Sequence, residues 1–104
     1  MIKRIKGTKF ETNVWNCLKK IRKGSTVTYS DVARGVHKPK AVRAVANAIA
    51  KNPYPVAIPC HRVIRSDGKL GGYSGPGGIK RKLILLKSER ALKNVSKSQK
   101  NNLR

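Results

Sequence analysis

The run Pro59-Cys60-His61-Arg62 sets a thiol directly before an imidazole and a guanidinium. A cysteine attacks as its thiolate, and an adjacent imidazole or cation lowers the pKa at which that thiolate forms. Pro59 stiffens the approach. Side chains adjacent in sequence need not touch, so two readings stand together here: an activated nucleophile, and a buried structural cysteine beside a satisfied histidine. The other cysteine, Cys17, lies on an apolar helical stripe and reads as a small buried hydrophobe. With His37 and His61 the two cysteines make four possible zinc ligands. No C-x-x-C or H-x-x-x-H spacing joins them, and the neighbours Cys60 and His61 chelate one ion poorly, so no metal is expected. The glycine-rich loop from Gly71 to Gly78 lacks the Lys-Ser/Thr ending of a phosphate-binding P-loop.

The elements that must hold this segment follow from periodicity and end signals. Phe10, Val14, Cys17, Leu18 and Ile21 recur at helical spacing, with Thr8 and Glu11 as a capping box and Gly24 as the stop. Thr28-Tyr29-Ser30-Asp31 starts a short helix that ends near Gly35; His37-Lys38-Pro39 is the turn, and a second helix spans about Lys40 to Lys51. Helix, tight turn and helix make a helix-turn-helix pattern. On its second helix Val42, Val45, Ala46 and Ile49 are expected to face inward, and Arg43, Ala44, Asn47, Ala48 and Lys51 outward. That outer face is small-sided, with one long cation near its start. It suits close approach to another surface, or is simply an alanine-rich solvent face. Asn52-Pro53-Tyr54-Pro55 breaks the helix. Val56-Ala57-Ile58 reads as a buried strand or extended segment leading to Cys60, and a last helix from about Ile79 puts Leu83 and Leu86 inward with Glu89 beside them. The expected fold is mostly α: a helix-turn-helix, winged-helix-like domain with a short strand or hairpin segment carrying Cys60. Residues 1–9 read as a lead-in, 10–92 as the domain and 93–104 as a basic disordered tail.

Charge narrows the partner. Twenty-five Lys and Arg stand against 4 acidic residues, a formal net charge of +21. Self-repulsion of that size opposes a compact state and points to a polyanion. No helix sets a basic face opposite a greasy one, so nucleic acid is expected over a membrane surface. No run of apolar residues is long enough to span a bilayer, and the basic Met1–Lys6 stretch has no apolar segment behind it. Two cysteines without a disulfide framework fit a reducing, intracellular setting.

Several of these residues, in order, resemble the O6-alkylguanine-DNA alkyltransferases: Tyr29 within Thr-Val-Thr-Tyr-Ser-Asp-Val-Ala, Lys40 to Ala46, Asn52-Pro53, Ile58 to Ile64, Gly72 to Gly75, and Arg81-Lys82 with Leu85, Leu86 and Glu89. The resemblance covers about residues 10–90, the active-site domain of that family. It implies that Cys60 accepts an alkyl group from O6 of guanine. His61 draws the thiol proton through a water, and Glu89 orients that imidazole. Asn52 braces the turn before the active-site segment. Tyr29 bonds the guanine ring and helps neutralise the leaving base. Arg43 enters the base stack, with Ala44 and Asn47 on the same helix face. Tyr73 and Ser74 cover the base, and the backbone at Cys60 and Val63 reads its exocyclic amine. The expected partner is double-stranded DNA containing O6-alkylguanine, bound by a monomer with no cofactor and one turnover per molecule.

Two departures and two rivals accompany this reading. Only nine residues precede Phe10, so the N-terminal domain carried by many members is expected to be missing. The Ser-Gly-Pro-Gly-Gly loop is about two residues longer than expected. Short relatives that bind alkylated DNA without chemistry carry Trp at the acceptor position, and Cys60 argues against that role. A basic helix-turn-helix regulator without chemistry is the other alternative.

Overall fold

The computed structural model describes residues 7–73 and 75–91. Ser74, the tail 93–104 and residues 1–6 of the lead-in lie outside the described residues. The chain order is α1 (Lys9–Leu18), β1 (Val27–Thr28), α2 (Tyr29–Gly35), α3 (Val42–Ala50), a 3-10 turn (Cys60–Arg62), β2 (Val63–Ile64) and α4 (Gly78–Ser88). The fold is mostly helical, with a single two-stranded sheet among the described residues.

Both N-terminal helices start where side chains satisfy otherwise orphaned amides. The Glu11 amide donates to Thr8 Oγ1 at 3.0 Å and the Thr8 amide to Glu11 Oε1 at 2.9 Å. Asp31 and Thr28 repeat the exchange at 3.0 and 2.9 Å. α1 buries Val14, Trp15 and Leu18, and the Trp15 indole Nε1 donates to the Ala48 carbonyl at 2.8 Å. That bond carries α1 onto α3 across 33 residues of sequence. α2 and α3 also pack together, so α3 is covered from two sides.

The two-sided packing corrects the expected faces of α3. Ala48, assigned outward by periodicity, is buried, while Val42 and Ala46 are only half-buried. Arg43, Ala44 and Asn47 face solvent as expected. The segment before Cys60 is also different. Val56 is exposed, with φ 76 in the left-handed region, so the chain turns at Val56–Ile58 instead of running as a strand. Pro55 has no amide for a ladder, and Asn52 draws the turn closed by donating Nδ2 to Ile58 O at 2.7 Å and accepting from the Tyr54 amide at 2.9 Å. A β-branched residue at positive φ costs about 1–3 kcal/mol and persists only where its surroundings impose it. Cys60 therefore sits on a 3-10 turn and not on a hairpin. The strand that follows pairs in parallel with β1, Val27 against Val63 and Thr28 against Ile64, because the partner strand lies far back in sequence.

Two apolar clusters fill the interior. One joins α1, α2 and α3 to Ile58, Cys60 and Val63; the other joins Ile64 and Leu70 to Leu83, Leu86 and Ala91 of the α4 end. The 3-10 turn and β2 run between them. Replacing Trp15 with Phe keeps most of the apolar volume and removes the donor to Ala48. Equilibrium urea unfolding is expected to show a loss of about 1–3 kcal/mol.

Candidate active site

Cys60 is 3% exposed and forms part of a pocket of about 280 Å³ lined by Tyr29, Ala46, Ile49, Ala50, Gly72 and Tyr73. A larger cleft of about 710 Å³ adds Val42, Arg43 and the Arg65–Asp67 turn, and does not reach Cys60. The two cavities share Tyr29, Ala46 and Gly72, so they adjoin. Gly71 is required at the join. Its φ is 73, and a Cβ there would stand 2.7 Å from the Tyr29 hydroxyl.

The side chains after Cys60 point to a shared carboxylate. His61 is fully buried, and its Nε2 pairs with Glu89 Oε2 at 2.9 Å. Arg62 grips the same carboxylate with two bonds, Nε to Oε1 at 2.8 Å and a terminal nitrogen to Oε2 at 2.7 Å. Its other terminal nitrogen donates to Ile21 O at 2.8 Å. The Arg62 guanidinium, and then the His61 ring, hold the Glu89 carboxyl down at about 2 despite burial. An ionised carboxylate can only accept, so His61 donates from Nε2. Its Nδ1 is buried and has no partner among the described residues.

The protonation states follow. Burial pushes the Cys60 thiol up, while the Asn52 amide and the Lys82 ammonium pull it back. Arg62, expected beside the thiol, is spent on Glu89 instead. Burial outweighs Glu89 at His61 and lowers its pKa, so the imidazole is neutral at physiological pH. A protonated thiol and a neutral imidazole whose far nitrogen is already fixed are the components of base-activated nucleophilic chemistry. Burial first, then the Cys60 charge, raises the Tyr29 hydroxyl, which keeps its proton.

The expected residues separate into groups. Cys60, Tyr29 and Tyr73 share the pocket; Arg43 reaches the outer cleft; His61, Glu89 and Asn52 stand behind the Cys60 turn. Ala44 and Asn47 line neither cavity, and Val63 is buried in β2 with its carbonyl accepting from Lys82 at 2.7 Å. Ser74 lies outside the described residues. Periodicity missed two contributors, Arg62 as the clamp on Glu89 and Lys82 as a fully buried cation. Lys82 was hidden in the run Lys80-Arg81-Lys82, although its helical phase with Leu86, four residues on, puts it inside. Among the described residues no three His, Cys, Asp or Glu side chains cluster as a metal site, and no helix is long and apolar enough to cross a membrane.

Residues 9–91 match the family model described as the 6-O-methylguanine DNA methyltransferase DNA-binding domain. The chain belongs to this family. It is 51% identical over 85 residues to the Escherichia coli bifunctional transcriptional activator/DNA repair enzyme Ada, covering 82% of this chain and 23% of Ada. Mycobacterium tuberculosis OGT, crystallised in complex with DNA, superposes with a TM-score of 0.80 at 39% identity over 93% of this chain and 58% of that one. S. pombe Atl1, in complex with damaged DNA containing O6-carboxymethylguanine, follows at TM-score 0.69 and 31% identity, over 82% of this chain and 79% of Atl1. The chain thus spans about a quarter of Ada and under two thirds of OGT.

The sign of the pH dependence is set by Glu89. Its folded pKa, about 2, lies below the ordinary 4.5, so its contribution is complete above 4.5 and is lost as pH falls towards 2. Urea midpoints measured across this acid range should fall less steeply for Glu89→Gln than for the parent, from a lower starting value.

Proposed function

We propose that the protein repairs DNA by direct reversal, moving an alkyl group from O6 of guanine onto Cys60 once per molecule. The observation that carries this reading is a thiol in a pocket, backed by a neutral buried imidazole whose other nitrogen is held by an ionised carboxylate. α2, the turn and α3 act as a helix-turn-helix, with the small outer face of α3 against DNA. A guanine paired within a duplex does not expose O6 to a buried thiol, so the base is flipped at a cost of a few kcal/mol, less for a pair weakened by alkylation. Arg43 supports the gap, and Ala44 and Asn47 line the approach. Tyr73 covers the base, and the backbone at Cys60 and Val63 reads its exocyclic amine.

In the chemical step His61 Nδ1 takes the Cys60 proton through a bridging water. The sulfur lone pair forms the S–C bond while the C–O6 bond breaks and its electrons leave on O6. Tyr29 hydrogen-bonds the departing guanine and donates towards its negative charge. Asn52 holds the turn that carries the thiol. The thioether is stable and no cofactor participates, so the protein is consumed. The positive charge supplies sequence-independent phosphate binding, which a search over all DNA requires.

Intact mass after mixing with a duplex containing O6-methylguanine tests this directly. A gain of roughly 14 Da that Cys60→Ser abolishes is expected, from methyl replacing the thiol hydrogen. No gain with lesion-selective binding retained overturns transfer in favour of damage sensing, the reading that the likeness to Atl1 supports. Neither gain nor selectivity leaves a basic DNA-binding domain. Arg43→Ala should slow transfer from duplex by roughly tenfold or more, about 1.4 kcal/mol. It should leave transfer from the free O6-alkylguanine base, which needs no flipping, unchanged.

A further inference from the structure

Two stretches of the chain gather exposed cations in one place. Lys19, Lys20, Arg22 and Lys23 follow α1 directly, Lys87 stands in the last turn of α4, and Arg90 lies just beyond it. The two stretches touch. A Cβ on Gly24 would stand 3.3 Å from the Glu89 carbonyl, and Arg62 joins them by donating to Ile21 O while it grips Glu89. The ends of α1 and α4 therefore make one basic patch.

No carboxylate among the described residues relieves it. Glu11 pairs with Lys51, Asp31 with Arg34, Asp67 with Arg65 and Glu89 with Arg62. Helix dipoles do not account for it either. Their pull is confined to the last turn, where α1 has no cation and α4 has Lys87 alone. Like charges held this close oppose the fold and are offset by a polyanion.

The patch lies behind the pocket. Cys60 lines the cavity with Tyr29 and Tyr73, whereas His61 and Arg62 reach from the same turn to Glu89. Ile21, Gly24 and the Glu89 backbone stand beyond that clamp. None of these cations lines the cleft that holds Arg43. A duplex seated on α3 with a base in the pocket leaves the patch uncovered. Its chemistry also narrows the occupant. Neither stretch carries an aromatic side chain on which an unpaired base could stack. Their one apolar side chain, Ile21, is buried, so nothing is offered to a bilayer. What remains is a set of cations suited to the phosphates of a duplex.

We infer that the basic patch at the joined ends of α1 and α4 binds the backbone of a second DNA duplex, so that one molecule holds two DNA segments at once. This rests on the reading of α3 as the DNA-facing helix and goes beyond it. A protein held by two segments passes from one to the other without entering free solution, which shortens a search over all DNA.

The test mixes the full chain with two short unmodified duplexes, one carrying a donor dye and the other an acceptor. Energy transfer between the duplexes should appear as protein is added and fall again in excess protein, when each duplex carries its own molecule. Lys23→Glu with Lys87→Glu should cut that transfer by roughly tenfold or more, through lost phosphate contacts. Lys9→Glu with Lys80→Glu makes the same charge change at the far ends of the same two helices, and should hold transfer within about twofold of the parent. Affinity for a single duplex, read by anisotropy, should be alike in the two double variants. Equal loss of transfer in both, or full transfer in Lys23→Glu with Lys87→Glu, overturns the inference. Binding of one duplex without energy transfer also overturns it, as does uptake of phosphatidylserine vesicles in place of a second duplex. Should the Glu pair not fold, Lys23→Gln with Lys87→Gln is read in the same way. Failure to bind even one duplex would sink the reading of α3 as well. Because these duplexes carry no alkylguanine, the mass gain at Cys60 remains a separate test of transfer.

Discussion

One carboxylate holds the site together. Glu89, at the end of α4, accepts from both residues that follow Cys60, and Arg62 extends the tie to the Ile21 carbonyl beyond α1. Three stretches far apart in sequence meet there. The order of effects is physical: the bidentate guanidinium keeps Glu89 ionised, and an ionised Glu89 can only accept. His61 must therefore spend its proton on Nε2, which leaves Nδ1 basic. Burial pushes the Cys60 thiol up, so the proposed transfer calls on this basic nitrogen. Without Arg62 the buried carboxylate would be drawn towards its neutral form, and the tautomer of His61 would no longer be imposed.

The rest of the charge pattern has the same economy. All 4 acidic side chains have internal duties: Glu11 and Asp31 cap helices, Asp67 closes a turn by accepting from the Lys69 amide, and Glu89 serves the site. Each also pairs with one basic side chain, Glu11 with Lys51, Asp31 with Arg34, Asp67 with Arg65 and Glu89 with Arg62, so 4 carboxylates stand against 25 Lys and Arg. The fold thus carries a large net positive field, and its compactness depends on apolar packing around Trp15 and on counterions. A DNA backbone is the partner that would turn that self-repulsion into binding free energy.

Local rules were legible in the sequence wherever partners lie three or four residues apart. Both capping boxes, the break at Asn52-Pro53 and the start of α4 beside Gly78 are of that kind. The Cys60–His61–Glu89 set was legible only through family resemblance, since no local rule joins residues 61 and 89. What periodicity could not supply was tertiary. Trp15 reaches Ala48, so Ala48 turns inward against its expected face. The Val56–Ile58 stretch looks like a strand by composition, yet Asn52 bends it into a turn. Arg62 reads as an activator of the thiol until its guanidinium is seen on Glu89. Lys82 enters the sequence reading only as part of the family resemblance, although its helical phase with Leu86 already places it inside.

The central claim, that a charge-held carboxylate prepares His61 to activate Cys60, is tested most directly by the ring ¹⁵N shifts of His61. These are read from long-range ¹⁵N–¹H spectra of the full chain at neutral pH. The account predicts a neutral imidazole protonated at Nε2, with Nδ1 at the position of an unprotonated ring nitrogen. A neutral ring protonated at Nδ1, or an imidazolium with both nitrogens protonated, would contradict it, because neither leaves a base on the side away from Glu89.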